Sequence, residues 1–171
     1  MPNQARAPLR IAVCDDEALD RAQIAQMAQE ILRAEEIPTE IACFASARAL
    51  LHAIQTGRAF QILLLDVMME GMDGIETARQ FRARDMDCLI VFLTSSREYV
   101  WEAFPMHAFD YLVKPVEQER LDRVLEEAQR ALACQERMLS LKVGRQRITV
   151  PVSSLRHANA RDHFVLVTLT D

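Results

Sequence analysis

The sequence predicts an α/β fold, a five-stranded parallel sheet doubly wound by helices, followed by a small and incomplete β-rich segment. Two observations predict it. From Leu9 onward, short apolar runs alternate five times with longer helical patterns, as a parallel sheet covered on both faces requires. After Met138 apolar residues recur at every second position, which is typical of strands with one face toward the core. The 171 residues have room for one ordinary domain and a further piece.

The five strand candidates of the first part are short and almost wholly apolar. Central parallel strands have this composition because helices cover them on both faces. The candidates are Arg10–Cys14, Glu40–Phe44, Gln61–Leu65, Leu89–Thr94 and Tyr111–Lys114.

Amphipathic helical patterns separate these strand candidates. The pattern after the first strand has i, i+3, i+4, i+7 spacing, in Ile24, Met27, Ala28 and Ile31. The fifth helix repeats it and contains no Gly or Pro from Val116 to Leu139, so it is predicted to continue as a stiff connector. The predicted organisation is a disordered segment at 1–8, a first domain at 9–130, a helical connector at 131–138 and the β-rich segment at 139–171.

Composition and charge favour a protein of the cytoplasm, with no membrane partner. No stretch approaches the roughly 20 apolar residues that span a bilayer, and the N-terminus has no apolar signal region. Four widely spaced cysteines fit reduced, packed side chains. The net charge is −5; residues 139–171 carry five basic and two acidic side chains, so the preceding residues are strongly acidic. The basic segment suits either a polyanion such as DNA or an ordinary solvated surface.

The side chains with chemical potential lie where the predicted strands end. They are Asp15 and Asp16 after the first strand, Asp66 after the third, Thr94 at the end of the fourth and Lys114 at the end of the fifth. Ligands of an open parallel sheet bind beyond the carboxyl ends of its strands, near the point where strand order reverses. These five side chains are therefore expected to surround one small cleft.

Three carboxylates in one cleft repel one another unless a cation lies among them. Mg2+ is the expected cation, because it prefers hard oxygen ligands and commonly binds through carboxylates and phosphate oxygens. The same ion lets an anionic phosphoryl donor approach an anionic nucleophile. Asp66 is then predicted to form an acyl phosphate, with Lys114 and Thr94 contacting the phosphoryl oxygens. Alternatively, Asp16 could simply cap the helix that begins near Ala18.

Four motifs, in this order, resemble the receiver domain of two-component response regulators: IAVCDDE, LLLDVMMEGMDG, FLTSS and FDYLVKP. The resemblance covers about Leu9 to Arg130 and implies the flavodoxin-like form of the fold. It implies that Asp15 and Asp16 bind the metal together with Asp66, the phosphoacceptor, and that Met68 lends the metal a backbone carbonyl.

The resemblance also implies a switch. The Thr94 hydroxyl would move toward the phosphoryl group while the Tyr111 ring turns inward. Lys114 would bind phosphate and be followed by a cis bond to Pro115. One position departs from the family: Glu70 stands where the family usually has proline. The loop is therefore expected to be looser and more acidic beside the metal.

The tail LSLKVGRQRITVPVSSLRHANARDHFVLVTLTD resembles the opening strands of the LytTR-type DNA-binding domain of LytR/AgrA-like regulators. That domain is normally about three times longer, so the chain is expected to be truncated or a fragment. Arg156, His157, Asn159 and Arg161 could contact DNA phosphates or bases, although a solvated loop is the alternative.

The function these observations predict is a response regulator phosphorylated on Asp66 by a sensor histidine kinase. It is expected to be a regulatory phosphoacceptor, not an enzyme. Phosphorylation would change the surface formed by the fourth helix, fifth strand and fifth helix, and thereby control homodimerisation and, in a full-length form, DNA binding and transcription.

Two alternatives remain. One is a receiver that acts by protein contact alone, without DNA binding. The other is a magnesium-dependent phosphohydrolase of the haloacid dehalogenase type, whose D-x-D motif places an acid-base catalyst two residues after the nucleophile. Here the corresponding residues read DVM, which argues against turnover of outside substrates.

Overall fold

The computed structural model describes residues 7–84, 87–95, 107–135, 138–143, 146–151, 155–161 and 164–169. The chain divides into two compact units, Met1–Ala128 and Gln129–Asp171. Residues 1–6, most of the N-terminal segment expected to be disordered, lie outside the described residues. Residues 96–106, to which the predicted fourth helix belongs, lie outside them as well.

The first unit contains a five-stranded parallel sheet, as the sequence predicts. Its strands are β1 (Leu9–Cys14), β2 (Thr39–Phe44), β3 (Ile62–Asp66), β4 (Leu89–Thr94) and β5 (Asp110–Val113). The spatial order is β2-β1-β3-β4-β5, with every neighbouring pair parallel. Strand order therefore reverses beside β1, where the chain moves outward to β2 and then back across to β3. A crevice for ligands is expected at this point, beyond the carboxyl ends of β1 and β3.

Four helices are described: α1 (Ala18–Ala34), α2 (Ala47–Gln55), α3 (Gly74–Arg82) and α4 (Gln118–Gln135), the last corresponding to the predicted fifth helix. Two begin at side-chain caps. The Ser46 hydroxyl accepts from the Ala49 amide at 3.2 Å, and the Asp73 carboxylate accepts from the Glu76 amide at 2.7 Å. Both loops before these helices are thus fixed at the edge of the sheet where the strands end.

Both faces of the sheet are buried, because successive side chains of a strand point to opposite faces. One set packs with α2 and α3 in a single apolar cluster that includes Ala12, Cys14, Leu63, Leu65, Ile90 and Phe92. The alternate residues, among them Ile11, Val13, Leu64 and Val91, are fully buried as well. The helices α1 and α4 supply fully or nearly fully buried apolar side chains, at Ile24, Ala28, Leu121, Val124 and Leu125. This rigid centre fixes the strand ends.

The second unit contains two antiparallel strand pairs. In the first, β6 (Met138–Val143) pairs with β7 (Gln146–Pro151); residues 144 and 145, between these strands, lie outside the described residues. In the second pair, β8 (Leu155–Arg161) is joined to β9 (Phe164–Leu169), with a register irregularity between Leu155 and His157.

Two expectations for this part of the chain are corrected. The helical connector was predicted to reach residue 138, but α4 ends at Gln135 and Met138 already begins a strand, because the alternating residues from Met138 onward pair with β7. The alternative of a solvated loop for the segment with Arg156 and Arg161 is also wrong, because this segment forms β8 through backbone pairing with the apolar strand β9. None of the helices in the described ranges is both long and apolar enough to cross a bilayer.

Candidate functional site at the carboxyl ends of the strands

Three carboxylates meet at the predicted crevice. Asp15 and Asp16 follow β1, and Asp66 is the last residue of the adjacent strand β3. One oxygen from each carboxylate can be chosen so that all three lie within 4.8 Å of one another. Asp15 and Asp66 are buried and Asp16 is half-buried. The sequence prediction that strand ends bring these acids together agrees with this geometry.

The Lys114 ammonium lies among these acids. Its Nζ is 2.8 Å from Asp15 Oδ2 and 3.3 Å from Asp66 Oδ2. The lysine follows β5, its amide donates to the Thr94 carbonyl at 2.8 Å, and its peptide bond to Pro115 is cis, the isomer that the resemblance implied. Only 15% of its side chain is exposed, so the ammonium partly neutralises two buried carboxylates.

Sequence reasoning missed a fourth acid, Asp20. Its Oδ2 lies 3.0 Å from Lys114 Nζ, although 43% of its side chain is exposed. Asp20 lies in the first turn of α1, directly after the Asp15–Asp16 pair. That position was the available signal, because the first turn of a helix that follows a strand lies at the same edge of the sheet as the strand end.

Backbone amides fix the orientation of the acids. The Glu17 amide donates to Asp15 Oδ1 at 2.9 Å, and the Glu70 amide donates to Asp16 Oδ2 at 2.7 Å. Asp15 and Asp16 thus each accept a hydrogen bond from a loop amide, one from the loop after β1 and one from the loop after β3, so the two loops build the site together.

Burial dominates the electrostatics of Asp66. The pKa of Asp66 is raised from its ordinary value of 3.8 to about 6: burial is the largest cause, Lys114 and the Met68 amide lower the pKa and offset part of the rise, and the charge of Asp15 adds to it. Burial alone would lower the pKa of Lys114, but its hydrogen bonds to Asp15 and Asp20 and the charge of Asp66 raise it above its ordinary value. The lysine is therefore a permanent cation beside a carboxylate that is costly to ionise.

In the metal-free protein, Asp66→Asn is expected to increase the free energy of unfolding by about 3 kcal/mol at pH 7. Because the pKa of Asp66 is raised to about 6 in the folded state, the wild type loses stability as the pH rises from about 4 to about 6. The asparagine carries no charge and escapes this loss. Urea unfolding in EDTA should give equal stabilities near pH 4 and a more stable variant at pH 7. A wild type that is more stable than Asp66→Asn at pH 7 would show that burial does not dominate the pKa of Asp66.

Gly74 is a second residue whose role sequence reasoning missed. It is the first residue of α3, and its amide donates to the Val67 carbonyl at 2.9 Å. A Cβ at this position would lie 2.1 Å from the Asp66 carbonyl oxygen and 2.9 Å from Val67 Cα. The start of α3 therefore packs directly against the backbone of Asp66, and only glycine leaves room for that approach.

The remaining residues of the predicted site lie on β4, β5, β8 and the loop after β3. Thr94 is buried at the carboxyl end of β4, between β3 and β5. Tyr111 lies on β5 with 41% of its surface exposed, and the Met68 side chain is 51% exposed. Arg156, His157, Asn159 and Arg161 lie on β8 in the second unit, where the structure describes the backbone.

The donor set fits a hard divalent cation. Three carboxylates supply oxygen atoms, and Asp66 Oδ1 is buried without a hydrogen-bond partner among the described residues. A buried ionised oxygen without a partner is costly, and a cation bound by oxygen ligands removes that cost. The chemistry and the unsatisfied atom therefore both fit a hard divalent cation, the class to which Mg2+ belongs, rather than a soft metal.

Comparison with known proteins gives a consistent family. Residues 11–126 match the response regulator receiver domain family. An uncharacterized response regulatory protein of Vibrio cholerae is 36% identical over 120 residues, which are 70% of this chain and 44% of that protein. The sensory transduction protein LytT of Bacillus subtilis is 26% identical over an alignment of 179 positions, gaps included, which covers 95% of this chain and 70% of that protein.

The fold has counterparts among solved structures. The chemotaxis response regulator CheY4 of Vibrio cholerae superposes with a TM-score of 0.59 at 26% identity, over 71% of this chain and 98% of that chain. Three relatives that are 30–36% identical to this chain align over only 44–48% of their own length. The chain therefore spans about half the length of these curated relatives.

Proposed function

The chain belongs to the response regulator receiver family, and from this premise we propose that Asp66 accepts a phosphoryl group from a sensor histidine kinase in the cytoplasm. The family is one of regulatory phosphoacceptor domains in two-component systems rather than of enzymes that turn over outside substrates. We assign the receiver to residues 9–130, with Mg2+ held by Asp15, Asp16, Asp66 and the Met68 backbone carbonyl.

One observation carries this proposal: Asp66 is buried beside Lys114, with Oδ1 left without a partner among the described residues. In the proposed reaction a carboxylate oxygen of Asp66 forms a bond to phosphorus while the bond from phosphorus to the donor's leaving group breaks. A bound Mg2+ supplies the positive charge that lets the anionic donor approach. The product is an acyl phosphate on Asp66.

We expect Lys114 and Thr94 to respond to this product. The Lys114 ammonium is already 3.3 Å from Asp66 Oδ2 and can donate to a phosphoryl oxygen as a compact charge. The Thr94 hydroxyl, at the adjacent strand end, can donate to another. Tyr111 has its ring partly exposed, and we propose that it turns inward when Thr94 moves.

The experiment that tests this proposal is the intact mass of the chain after incubation with acetyl phosphate, a small phosphoryl donor. With Mg2+ we expect a gain of one phosphoryl group, and with EDTA none. A folded chain that binds Mg2+ but gains no mass with this donor or with a phosphorylated histidine kinase would contradict the phosphoacceptor role.

The output that we propose is a change of one surface, formed by β5, the predicted fourth helix and the helix α4, which corresponds to the predicted fifth helix. This change would lead two copies of the chain to form a homodimer. Light scattering with and without Mg2+ and acetyl phosphate tests this, since an unchanged mass would contradict it. We further propose that the residues between the receiver and Met138 are a connector, and that residues 139–171 are part of a LytTR-type DNA-binding domain. The alignment with LytT, which covers 95% of this chain, supports that assignment.

DNA binding through Arg156, His157, Asn159 and Arg161 belongs to the longer form of such a protein. This proposal predicts that alanine at Arg156 and Arg161 weakens the binding of that form to duplex DNA. Equal binding by the variant and the wild type would favour the alternative, an output by protein contact alone.

A phosphohydrolase has less support. Its acid-base catalyst would stand two residues after Asp66, where the chain has Met68, whose side chain cannot transfer a proton.

A further inference from the structure

The loop between β3 and α3 is tied to the loop after β1 by one hydrogen bond. The amide of Glu70 donates to Asp16 Oδ2 with an N···O distance of 2.7 Å, between residues 54 positions apart in the sequence. The bond uses the backbone of residue 70, because the donor is its N–H. Proline has no N–H, so the bond exists only because residue 70 is not proline.

Asp16, the acceptor of this hydrogen bond, differs from the other two acids in its contacts. Asp15 and Asp66 both lie beside the Lys114 ammonium, and Asp15 also accepts from the Glu17 amide. Among the described residues, the hydrogen-bond donor to the Asp16 carboxylate is the Glu70 amide. Asp16 is also the least buried of the three acids. Without this amide, its carboxylate would be free to rotate toward water and away from two like charges.

We propose that the backbone amide of Glu70 is a positioning group for the metal site, holding the Asp16 carboxylate beside Asp15 and Asp66 before the cation arrives. This inference rests on the proposed function. A carboxylate that accepts this one hydrogen bond keeps lone pairs with which it could bind the cation, directly or through a water. An N–H to carboxylate bond of 2.7 Å is short and charge-assisted, which is the strong class of hydrogen bond.

The Glu70 side chain has no role in this arrangement, because residue 70 is exposed and contributes through its backbone. This separates two effects that a single substitution would mix. Glu70→Ala removes the carboxylate and keeps the N–H, whereas Glu70→Pro removes both. The difference between the two variants isolates the amide.

The test is calorimetric titration of the full chain with Mg2+ alone, for the wild type and both variants. We expect Glu70→Ala to stay within about threefold of the wild-type affinity, because an exposed charge contributes little. We expect Glu70→Pro to bind about tenfold more weakly than Glu70→Ala, as loss of one charge-assisted hydrogen bond implies. Circular dichroism establishes that each variant is folded.

Three results would overturn the inference. Equal affinities of the two variants would show that the amide does not position Asp16. A tenfold loss already in Glu70→Ala would assign the effect to the carboxylate. A folded wild type that does not bind Mg2+ would instead overturn the proposed function, and the inference with it.

A second measurement does not depend on the proline variant or on metal. Hydrogen exchange of the Glu70 amide, followed by NMR in EDTA, is expected to be slow in the wild type. In Asp16→Ala it should be at least about tenfold faster, because the acceptor is gone. Equal exchange rates would show that the hydrogen bond is not formed in solution.

Discussion

Lys114→Met is expected to lower the free energy of unfolding of the metal-free protein by about 3–5 kcal/mol. The lysine contacts Asp15, Asp20 and Asp66 at 2.8, 3.0 and 3.3 Å, and Asp15 and Asp66 are almost completely buried. Methionine preserves the aliphatic length of the side chain but removes the charge. The buried carboxylates of Asp15 and Asp66 would then lie side by side without a cation. Removing one partner of a buried ion pair is strongly destabilising, because the remaining charges are buried without compensation.

Urea unfolding in EDTA measures this loss. When Mg2+ is added, the free energy of unfolding should rise more for Lys114→Met than for the wild type, because the ion replaces the missing positive charge. The matched control is Arg79→Met, which removes an ion pair with Glu76 at a surface where the side chains are 60% and 40% exposed. Such a pair contributes less than about 1 kcal/mol. Equal losses in the two variants would contradict the central place of Lys114 in the acid cluster.

Gly74→Ala is expected to cost about 3 kcal/mol of folding free energy, near the upper end for an overpacked site. The added Cβ would lie 2.1 Å from the Asp66 carbonyl oxygen, and the neighbouring atoms belong to the backbone of Asp66 and Val67. A flexible side chain could move aside, but this backbone ends a central strand. The start of α3 must therefore separate from β3, which would also displace the Asp66 carboxylate.

Gly71→Ala is the control for this variant, since Gly71 has a φ of 85° and no atom within 4 Å of an added Cβ. Gly71→Ala is expected to lower the free energy of unfolding by about 1 kcal/mol, because alanine is disfavoured at a positive φ and the added Cβ makes no clash. Chemical denaturation compares the stabilities, and Mg2+ titration shows whether Asp66 has moved. If Gly74→Ala were as stable as the wild type with unchanged Mg2+ affinity, the close approach of α3 to Asp66 would be wrong.

The parts of this protein that the sequence predicts are those set by periodicity. The five apolar runs correspond to the five strands within one residue at most ends, because central parallel strands need apolar side chains on both faces. The positions of Asp15, Asp66 and Lys114 follow from the same fact. Parallel strands end at one edge of the sheet, so residues that end strands meet.

Contacts that depend on three-dimensional detail were missed. Asp20 reaches Lys114 only because of the rotation of α1, and Gly74 matters only because α3 begins against Asp66. The Glu70 amide leaves no trace in side-chain chemistry, since any residue except proline provides it. The strand β8 was missed because its sequence, LRHANAR, is mostly polar or small, and its pairing with β9 is formed by backbone groups.

The measurement that tests the central claim most directly is the location of the phosphoryl group. After incubation with acetyl phosphate and Mg2+, reduction with borohydride converts an aspartyl phosphate into homoserine, which peptide mass spectrometry assigns to one position. We predict homoserine at residue 66, and none in Asp66→Asn. Homoserine at residue 15, 16 or 20, or stable phosphorylation that survives in Asp66→Asn, would contradict the assignment of Asp66 as the phosphoacceptor.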